Sequence, residues 1–295
     1  MLTPLVTIGI PFFNSERNLL TSIKSIFAQT YSNWELILVN DGSIDNSLQI
    51  ASSINDPRVS VISDGENKKL AARLNQITDL AKGKYIARMD SDDLCSPSRI
   101  QKQVDLLESD DNIDVAGCGI IYLNADDEPL GCSIALREHR EICKQPYRKF
   151  RICHASIVAR KSWCEKYRYN ETIQVGQDFN LWLRSYRESK FANVPDPMYY
   201  YRLESSFSLR KQIKDRYISS KFIFHHFEKH EHINNALFYA LMQYVRLGAE
   251  IGFCVLGLRK KLLARRYNKL SDTEFESFMS EIRKIKNTEL PTRMA

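Results

Sequence analysis

The feature that most constrains the fold is a regular alternation of β-branched stretches and amphipathic stretches in the first 90 residues. The former predict strands, and the latter place apolar residues at helical spacing. This rhythm is typical of a parallel sheet with helices on both faces and right-handed crossovers. The predicted strands are Leu5–Ile10, Trp34–Asp41, Arg58–Ile62 and Lys84–Asp90, and the predicted helices are residues 14–29, 43–54 and 68–81.

The rest of the chain is less regular. Asn14 is expected to cap the first helix, and Gly83 is expected to end the third. Strands are predicted near residues 113–123 and 128–136, and a helix over 176–189. Two short strands should follow at 190–195 and 198–203, and the pattern is helical from Lys211 to the end.

Polar residues follow three of the predicted strands directly. They are Pro11–Asn14, Asp41–Ser43 and Asp90–Asp93. Ligands of open α/β sheets bind beyond the carboxyl ends of the strands. We therefore expect these three stretches to meet along one rim and to form one crevice.

The third stretch is strongly acidic. Asp90 and Asp92 stand two residues apart at a strand end, so their side chains should share a face. Two carboxylates on one face suit a hard divalent cation, which also offsets their repulsion. The alternative is a solvated acidic turn that caps the helix near Pro97.

The net charge of +6 is unevenly placed, because Lys211–Ala295 holds 16 basic and 9 acidic residues. Basic and apolar residues interleave over 258–269, which predicts an amphipathic helix, and residues 236–258 before it are mostly apolar. Arg246 and Glu250 argue against a membrane-spanning helix. Residues 236–269 therefore predict either peripheral contact with an anionic membrane or a hairpin packed on the rest of the chain. Without a recognised module, nucleic acid is not expected as a partner.

The seven cysteines form no CxxC pair, and the N-terminus resembles a first strand rather than a secretory leader. This pattern predicts reduced thiols in a cytoplasmic protein, with any membrane contact on the inner face of the cell membrane.

Four motifs together resemble the inverting glycosyltransferases of family 2, which have the GT-A fold. They are Pro11–Phe12–Phe13–Asn14, Asn40–Asp41–Gly42–Ser43, Asp90–Ser91–Asp92 and the stretch GQDFNLWLR at 176–184. The resemblance covers residues 4–205. It implies a GT-A domain over 1–210, with a nucleotide-sugar half to about 118 and an acceptor half over 119–210, followed by a helical basic region over 211–295.

Two departures from the family pattern stand out. Gln177 occupies the position of the usual Glu before the catalytic base, so a role that needs a carboxylate there is in doubt. The segment before the third helix lacks the Gly-rich character often seen in the family, although Arg73 and Asn75 remain.

The resemblance implies a donor site for a nucleotide-diphosphate sugar, with a UDP-sugar preferred because a carboxylate can accept from the uracil imide N–H. Asp41 would have this role, unless it only caps a helix. Arg73 would contact ribose or phosphate, unless it lies on a solvated helix face, and either Phe12 or Phe13 would be core. The implied nucleotide-sugar residues are Pro11, Phe12, Phe13, Glu16, Asp41, Arg73, Asp90, Ser91 and Asp92.

The resemblance also implies a metal and a base. Asp92 would be the direct ligand of Mn²⁺ or Mg²⁺, and His154 is a second candidate ligand or else a structural histidine. Asp178 would act as general base, unless it only interacts with a helix dipole.

The predicted activity is that of a metal-dependent inverting hexosyltransferase. It would act on a glycan or lipid-linked saccharide in the synthesis of a bacterial capsule, O-antigen or exopolysaccharide. The alternatives are a nucleotidyltransferase, whose usual Gly-rich basic loop is missing after the first strand, and a non-catalytic sugar-nucleotide-binding protein.

Overall fold

The computed structural model describes residues 3–203, 209–230, 233–256 and 267–292. Its first part is a parallel sheet in the order β3-β2-β1-β4, and the alternation in the sequence predicts this arrangement. Each of these strands is short and mostly apolar, and each is followed by a polar loop at the same edge. The four strands are β1 (Val6–Phe12), β2 (Trp34–Asn40), β3 (Val59–Ser63) and β4 (Tyr85–Arg88).

The sheet continues beyond β4 with strands of mixed direction. The parallel part is thereby joined to a second region that carries the later motifs. These strands are β5 (Leu94–Cys95), β6 (Val115–Leu123), β7 (Pro129–Ser133), β8 (Val158–Arg160) and β9 (Phe191–Arg202). β8 runs antiparallel to both β4 and β6, β9 runs parallel to β6, and β5 and β7 pair antiparallel with β9 and β6. The two short strands predicted near 190–203 are thus one strand, whose register shifts against β6 next to Gly119.

Helices cover both faces of the sheet because its central strands are apolar on both sides. In β2, Leu36 and Leu38 pack in the core on one face, whereas Ile37 and Val39 pack in the core on the other. The helices before residue 203 are α1 (Leu19–Phe27), α2 (Ser47–Ser52), α3 (Lys69–Leu80), α4 (Arg99–Ser109), α5 (His139–Ile142), α6 (Lys161–Lys166) and α7 (Gln177–Ser185), with a 3₁₀ turn at His154–Ser156.

A second core, rich in aromatic side chains, holds α7 against the mixed part of the sheet. Trp182 of α7 stacks on Trp163 of α6, with ring centroids 6.1 Å apart, and contacts Phe191 of β9 edge to face. Trp163 Nε1 donates to Ser189 Oγ at 2.8 Å, so the buried indole N–H has a partner. This packing fixes the orientation of the helix that carries Asp178.

Two predicted helix ends are wrong. Asn14 does not cap α1, which begins after Asn18; Asn14 instead has a φ of 48° and accepts from the Ile44 N–H at 2.9 Å. Gly83 does not cap α3, because Ala81 follows that helix with an extended backbone. A Cβ at Gly83 would lie 2.5 Å from the Thr7 nitrogen, so glycine is required there by the close approach to β1.

The described residues beyond Lys211 are mainly helical, as predicted. α8 (Leu209–His230) and α9 (Ile233–Val255) form a hairpin, and α10 (Asp272–Lys286) packs on α1. Ile282 and Ile285 of α10 are buried in a third core with β5, β6 and β9. Within the ranges listed above, no helix is both long and apolar enough to cross a bilayer.

The predicted basic helix over 258–269 lies outside the described residues up to Arg266. Its last residues are not helical, which corrects the prediction for 267–269. Tyr267 packs on Tyr122, with ring centroids 5.5 Å apart, and Asn268 pairs with Cys132 of β7. The division into domains at 118 and 210 remains a prediction.

Candidate active site

The three polar loops predicted to share a rim do meet. Ser15 Oγ lies 2.7 Å from Ser91 Oγ, which joins the loop after β1 to the loop after β4. The Asn14 N–H donates to Ser43 Oγ at 3.1 Å, which joins the loops after β1 and β2. The carboxyl ends of β1, β2 and β4 thus form one continuous edge, as parallel pairing in register requires.

The turn after β2 presents Asp41 to the start of α3. Gly42 has a φ of 75°, a left-handed conformation that glycine adopts without strain. Asp41 Oδ1 accepts from the N–H groups of Lys68 and Lys69 at 2.7 and 3.1 Å, and from Arg73 Nε at 2.9 Å. Asp41 therefore does cap the start of a helix, but it also holds an arginine.

Arg73 is fully buried, so the alternative of a solvated helix face is wrong. Its guanidinium bridges Asp41 and Asp64, with Nη2 lying 2.6 Å from Asp64 Oδ1. Hydrogen bonds from Arg73 and Lys68 hold the pKa of Asp64 well below its ordinary value. A buried, always-charged guanidinium in two ion pairs has a fixed orientation at this edge of the sheet.

The two aromatic residues after β1 have different surroundings. Phe12 is 2% exposed and belongs to the main core, whereas Phe13 is 48% exposed at the strand end. Phe13 is thus the ring that is available to a planar ligand. Pro11 is buried opposite Val39 of β2, and Glu16 accepts from the backbone and side chain of Asn46 at the start of α2.

The acidic residues after β4 form a cluster. One carboxylate oxygen each from Asp90, Asp92 and Asp93 lies within 4.8 Å of the others. Three carboxylate oxygens at this separation fit a hard divalent cation such as Mg²⁺ or Mn²⁺. The alternative, a turn that caps the next helix, is not observed, because Ser98 precedes α4.

Asp93 is the most buried member of the cluster. Burial, together with the charges of Asp92 and Asp90, raises the pKa of Asp93 well above its ordinary value. Its Oδ1 accepts from the Arg202 N–H at 2.9 Å, and its buried Oδ2 has no hydrogen-bond partner among the described residues. A buried carboxylate oxygen that no described residue contacts is costly unless it binds a cation or a ligand.

Two arginines that the sequence reasoning did not select support the cluster. Arg88 Nη2 donates to Asp90 Oδ1 at 2.6 Å, and Arg202 donates to the Asp92 carbonyl oxygen and to Asp127. Arg88 stands in the buried strand YIAR, and an arginine among core residues was the available signal. The sequence around Arg202 gave no comparable indication, because Arg202 reaches the acidic cluster only through the pairing of β9 with β5.

Asp178 lies in the first turn of α7, where Gly176 precedes the helix with a φ of 73°. It is only half-buried. Burial raises the pKa of the Tyr169 phenol; the charge of Arg88 lowers it, and the carboxylates of Asp178 and Asp90 raise it further. The charges of Asp178 and Asp90 thus both act on the Tyr169 phenol.

His154 packs against Tyr169 and Trp182. Its Nε2 is 2.7 Å from the Tyr169 hydroxyl, and its ring contacts Trp182 edge to face. Burial, and then the charge of Arg88, holds the pKa of His154 well below its ordinary value, so the ring is neutral. It is not in the only metal-ligand cluster found among the described residues. The metal role of His154 stays a prediction that this geometry does not favour.

The sequence model of the family "Glycosyl transferase family 2" matches residues 7–168. The chain belongs to this family. It is 34% identical to EpsE of Bacillus subtilis (strain 168) over 214 residues, which are 68% of this chain and 74% of EpsE. It is also 33% identical over 103 residues to WfgD of Escherichia coli, a UDP-Glc:alpha-D-GlcNAc-diphosphoundecaprenol beta-1,3-glucosyltransferase. That match covers 35% of this chain and 41% of WfgD.

Solved structures show the same fold. S. aureus TarS 1-349 in complex with UDP-GlcNAc superposes with a TM-score of 0.63 at 14% identity, over 95% of this chain and 80% of TarS. The mannosyltransferase PcManGT from Pyrobaculum calidifontis, in complex with GDP-Man and Mn²⁺, gives a TM-score of 0.58 at 15% identity, over 97% of this chain and 86% of PcManGT. The predicted GT-A fold is thus confirmed, and the chain is a glycosyltransferase.

Proposed function

We propose that this glycosyltransferase moves a sugar from a UDP-sugar to a hydroxyl acceptor with inversion at the anomeric carbon. The observation that carries the proposal is the cluster of Asp90, Asp92 and Asp93, which is joined by Ser91 and Ser15 to the edge that presents Asp41. TarS, with this fold, is known in complex with UDP-GlcNAc, which supports a UDP-sugar.

The nucleotide would bind along the ends of β1 and β2. Phe13 stacks on the base, and the carboxylate of Asp41 accepts from the uracil imide N–H. Arg73 is fully buried and bonded to Asp41 and Asp64, so it would act indirectly, by fixing the Asp41 carboxylate, rather than by the predicted contact with ribose or phosphate. Pro11 and Phe12 form the wall behind the base, and Glu16 keeps the neighbouring turn in place through Asn46.

The acidic cluster would hold a divalent cation, with Asp92 as direct ligand and Asp90 and Asp93 beside it. A bound cation stabilises negative charge on the departing diphosphate. Arg88 and Arg202 keep the cluster compact before the ion arrives, because they hold Asp90 and the backbone at Asp92.

Asp178 would serve as general base. The acceptor hydroxyl attacks the anomeric carbon from the face opposite the diphosphate and loses its proton to the Asp178 carboxylate, which must lie within about 3 Å of it. A single displacement inverts the anomeric configuration. Gln177 can hydrogen-bond the acceptor but cannot take its proton, so Asp178 is the proposed base of this pair.

The acceptor is proposed to be a glycan or lipid-linked saccharide of a bacterial surface polysaccharide. WfgD, which shares a third of its residues with this chain over the matched region, acts on a diphosphoundecaprenol-linked sugar. The family match does not favour the nucleotidyltransferase or the non-catalytic binder.

The test is a panel of sugar nucleotides, including UDP-, GDP- and dTDP-sugars, assayed for hydrolysis and transfer with Mn²⁺, with Mg²⁺ and with a chelator. We expect turnover of one UDP-sugar that stops on chelation. Asp92→Asn should abolish it, whereas Asp111→Asn, a change at an exposed aspartate remote from the cluster, should not. Turnover that persists with chelator and in Asp92→Asn would remove the metal role, and exclusive use of a GDP-sugar would overturn the choice of donor.

A further inference from the structure

The outward side of α9 is an apolar surface that the proposed transfer site does not use. Successive residues of a helix are about 100° apart around its axis. On this basis, the described residues of α9 that fall within one arc of roughly 140° are all uncharged. Leu237, Leu241 and Leu256 are 56%, 62% and 72% exposed. We define the α9 apolar face by Leu237, Phe238, Leu241, Tyr244, Val245 and the following Leu256.

The opposite side of α9 fixes the orientation of this face. Gln243 is buried and donates to the Tyr147 carbonyl oxygen at 3.1 Å, and Leu247 is buried beside it. Glu250 forms an ion pair with Arg216 of α8. Arg246 and Glu250, the two charged residues of α9, are four positions apart and so lie on the same side of the helix, away from the apolar face. The helix cannot turn the apolar face inward without breaking the contacts of Gln243 and Glu250.

The hairpin is also attached to the helix that carries Asp178. Ile223 of α8 is fully buried in the aromatic core with Leu181 of α7. A Cβ built on Gly176, the residue before α7, would lie 3.3 Å from the Phe222 ring. The α9 apolar face thus belongs to an element packed beside the proposed acceptor side of the site.

The basic residues that follow α9 in sequence, and those exposed on its hairpin partner α8, suit an anionic surface. Residues 257–266, directly after α9, include five basic residues and no acidic one. Lys214 and Lys221 of α8 are exposed, as are Tyr217 and Tyr244, whose rings combine an apolar body with a polar tip. A second copy of the chain would present charge of the same sign, which does not favour self-association through this region.

We propose that the α9 apolar face docks on an anionic lipid bilayer, with α9 lying along the membrane surface. Apolar side chains enter the headgroup region, and neighbouring basic residues attract acidic lipids. The proposed contact is peripheral, and no described helix is long and apolar enough to cross a bilayer. The proposal goes beyond glycosyl transfer, because docking requires neither donor nor acceptor.

The experiment is vesicle co-flotation of the full chain without sugar nucleotide. The vesicles contain phosphatidylcholine alone or with phosphatidylglycerol. Wild type should float with the anionic vesicles, and the double variant Leu241→Glu/Val245→Glu should lose at least about tenfold in partitioning. Ile134→Glu is the matched control, because Ile134 is an exposed apolar residue outside the hairpin, and it should float like wild type.

A second variant should strengthen docking, so the test does not depend on loss alone. A Cβ at Gly248 would meet nothing within 4 Å, so Gly248→Leu adds apolar surface to this side of α9 without a clash. We expect it to partition several-fold more strongly than wild type.

Three outcomes would overturn the proposal. Wild type could fail to float with anionic vesicles, or the Leu241→Glu/Val245→Glu variant could float like wild type. In the third, sedimentation without lipid shows that wild type is a dimer and that this variant is a monomer. The last result would show that a second copy covers the face.

UDP-sugar hydrolysis without vesicles separates docking from glycosyl transfer. The hydrolysis rate should be equal in wild type and in Leu241→Glu/Val245→Glu. A chain that floats with vesicles but turns over no sugar nucleotide would contradict the transfer proposal alone.

Discussion

Arg88 Nη2 lies 2.6 Å from Oδ1 of Asp90, so the strand that delivers the acidic cluster also supplies a counter-charge to it. The arginine is buried, and its Nε has no hydrogen-bond partner in the part of the chain that the structure describes. Three clustered carboxylates without a cation would repel one another. This ion pair explains how the cluster stays compact before a metal binds.

Replacing Arg88 should therefore lower the stability of the fold. Arg88→Met leaves Asp90 beside two carboxylates without compensation, and we expect a loss of about 3 kcal/mol in the free energy of unfolding. Urea titration measures it. Mn²⁺ should restore more stability to the variant than it adds to wild type, because the ion replaces the missing positive charge.

The control for this variant is Lys102→Met, which breaks an exposed ion pair with Asp196 and should cost less than about 1 kcal/mol. A loss for Arg88→Met as small as that of the control would refute the counter-charge role. An equal effect of Mn²⁺ on variant and wild type would refute the link to metal binding.

Phe13→Ala should weaken donor binding without weakening the fold. Phe13 is half exposed at the end of β1, so it contributes little to the core, whereas stacking on a base is worth about 1–3 kcal/mol. We expect the Kd for UDP, measured by calorimetry, to rise about 5- to 150-fold. Leu20→Ala, at an exposed apolar position of α1, should leave it unchanged; an unchanged Kd for Phe13→Ala would show that the base binds elsewhere.

Asp178→Asn should remove the base and preserve the donor site. General-base catalysis typically contributes 10²- to 10⁴-fold, so kcat should fall by about that factor while the Kd for UDP stays within about twofold. Asp196→Asn, on an exposed part of β9, is the control. If Asp178→Asn keeps full kcat, the base is another residue. A large loss of UDP affinity would indicate a binding role instead.

The contact of Asp127 with Arg202 and Lys286 should make stability depend on pH. Burial raises the pKa of Asp127, but its hydrogen bonds to Arg202 and Lys286 outweigh burial and lower it overall. A carboxyl group with a lowered pKa stabilises the fold above its unfolded pKa of about 3.9, and this stabilisation disappears as the pH falls through the folded pKa.

Asp127→Asn should thus cost about 2 kcal/mol at pH 7, and the gap to wild type should narrow as the pH falls from 5 towards 3. Urea midpoints across this range measure the gap. Asp126→Asn, at the exposed neighbouring position, should leave the midpoints unchanged. A gap that stays constant down to pH 3 would mean that the ion pairs do not stabilise the fold.

Strand ends were the most predictable part of the molecule. The loops at Asn14, Ser43 and Ser91 are joined as expected, because parallel strands in register place their carboxyl ends on one edge. Helix ends were less predictable. The local signals at Asn14 and Gly83 were overridden by a loop contact to Ile44 and by the close approach of β1.

The support of the site could not be predicted because it joins residues far apart in sequence. Arg202 reaches Asp93 across 109 positions, and Glu281 of α10 accepts from the Tyr200 hydroxyl at 2.6 Å. Such contacts follow from the pairing of β9 with β5 and from the return of α10 to the sheet, which no local pattern indicates. The burial of Arg73 was missed for the same reason, since its partner Asp64 lies in a loop with no signal of its own.

The central claim is that the acidic cluster and Asp41 form one donor site. Anomalous diffraction from crystals soaked with Mn²⁺ and UDP tests it most directly. We predict one manganese peak within ligand distance of Asp92 and of the diphosphate, with uracil between Phe13 and Asp41. Manganese bound away from Asp90, Asp92 and Asp93, or UDP bound without contact to Asp41, would contradict the account.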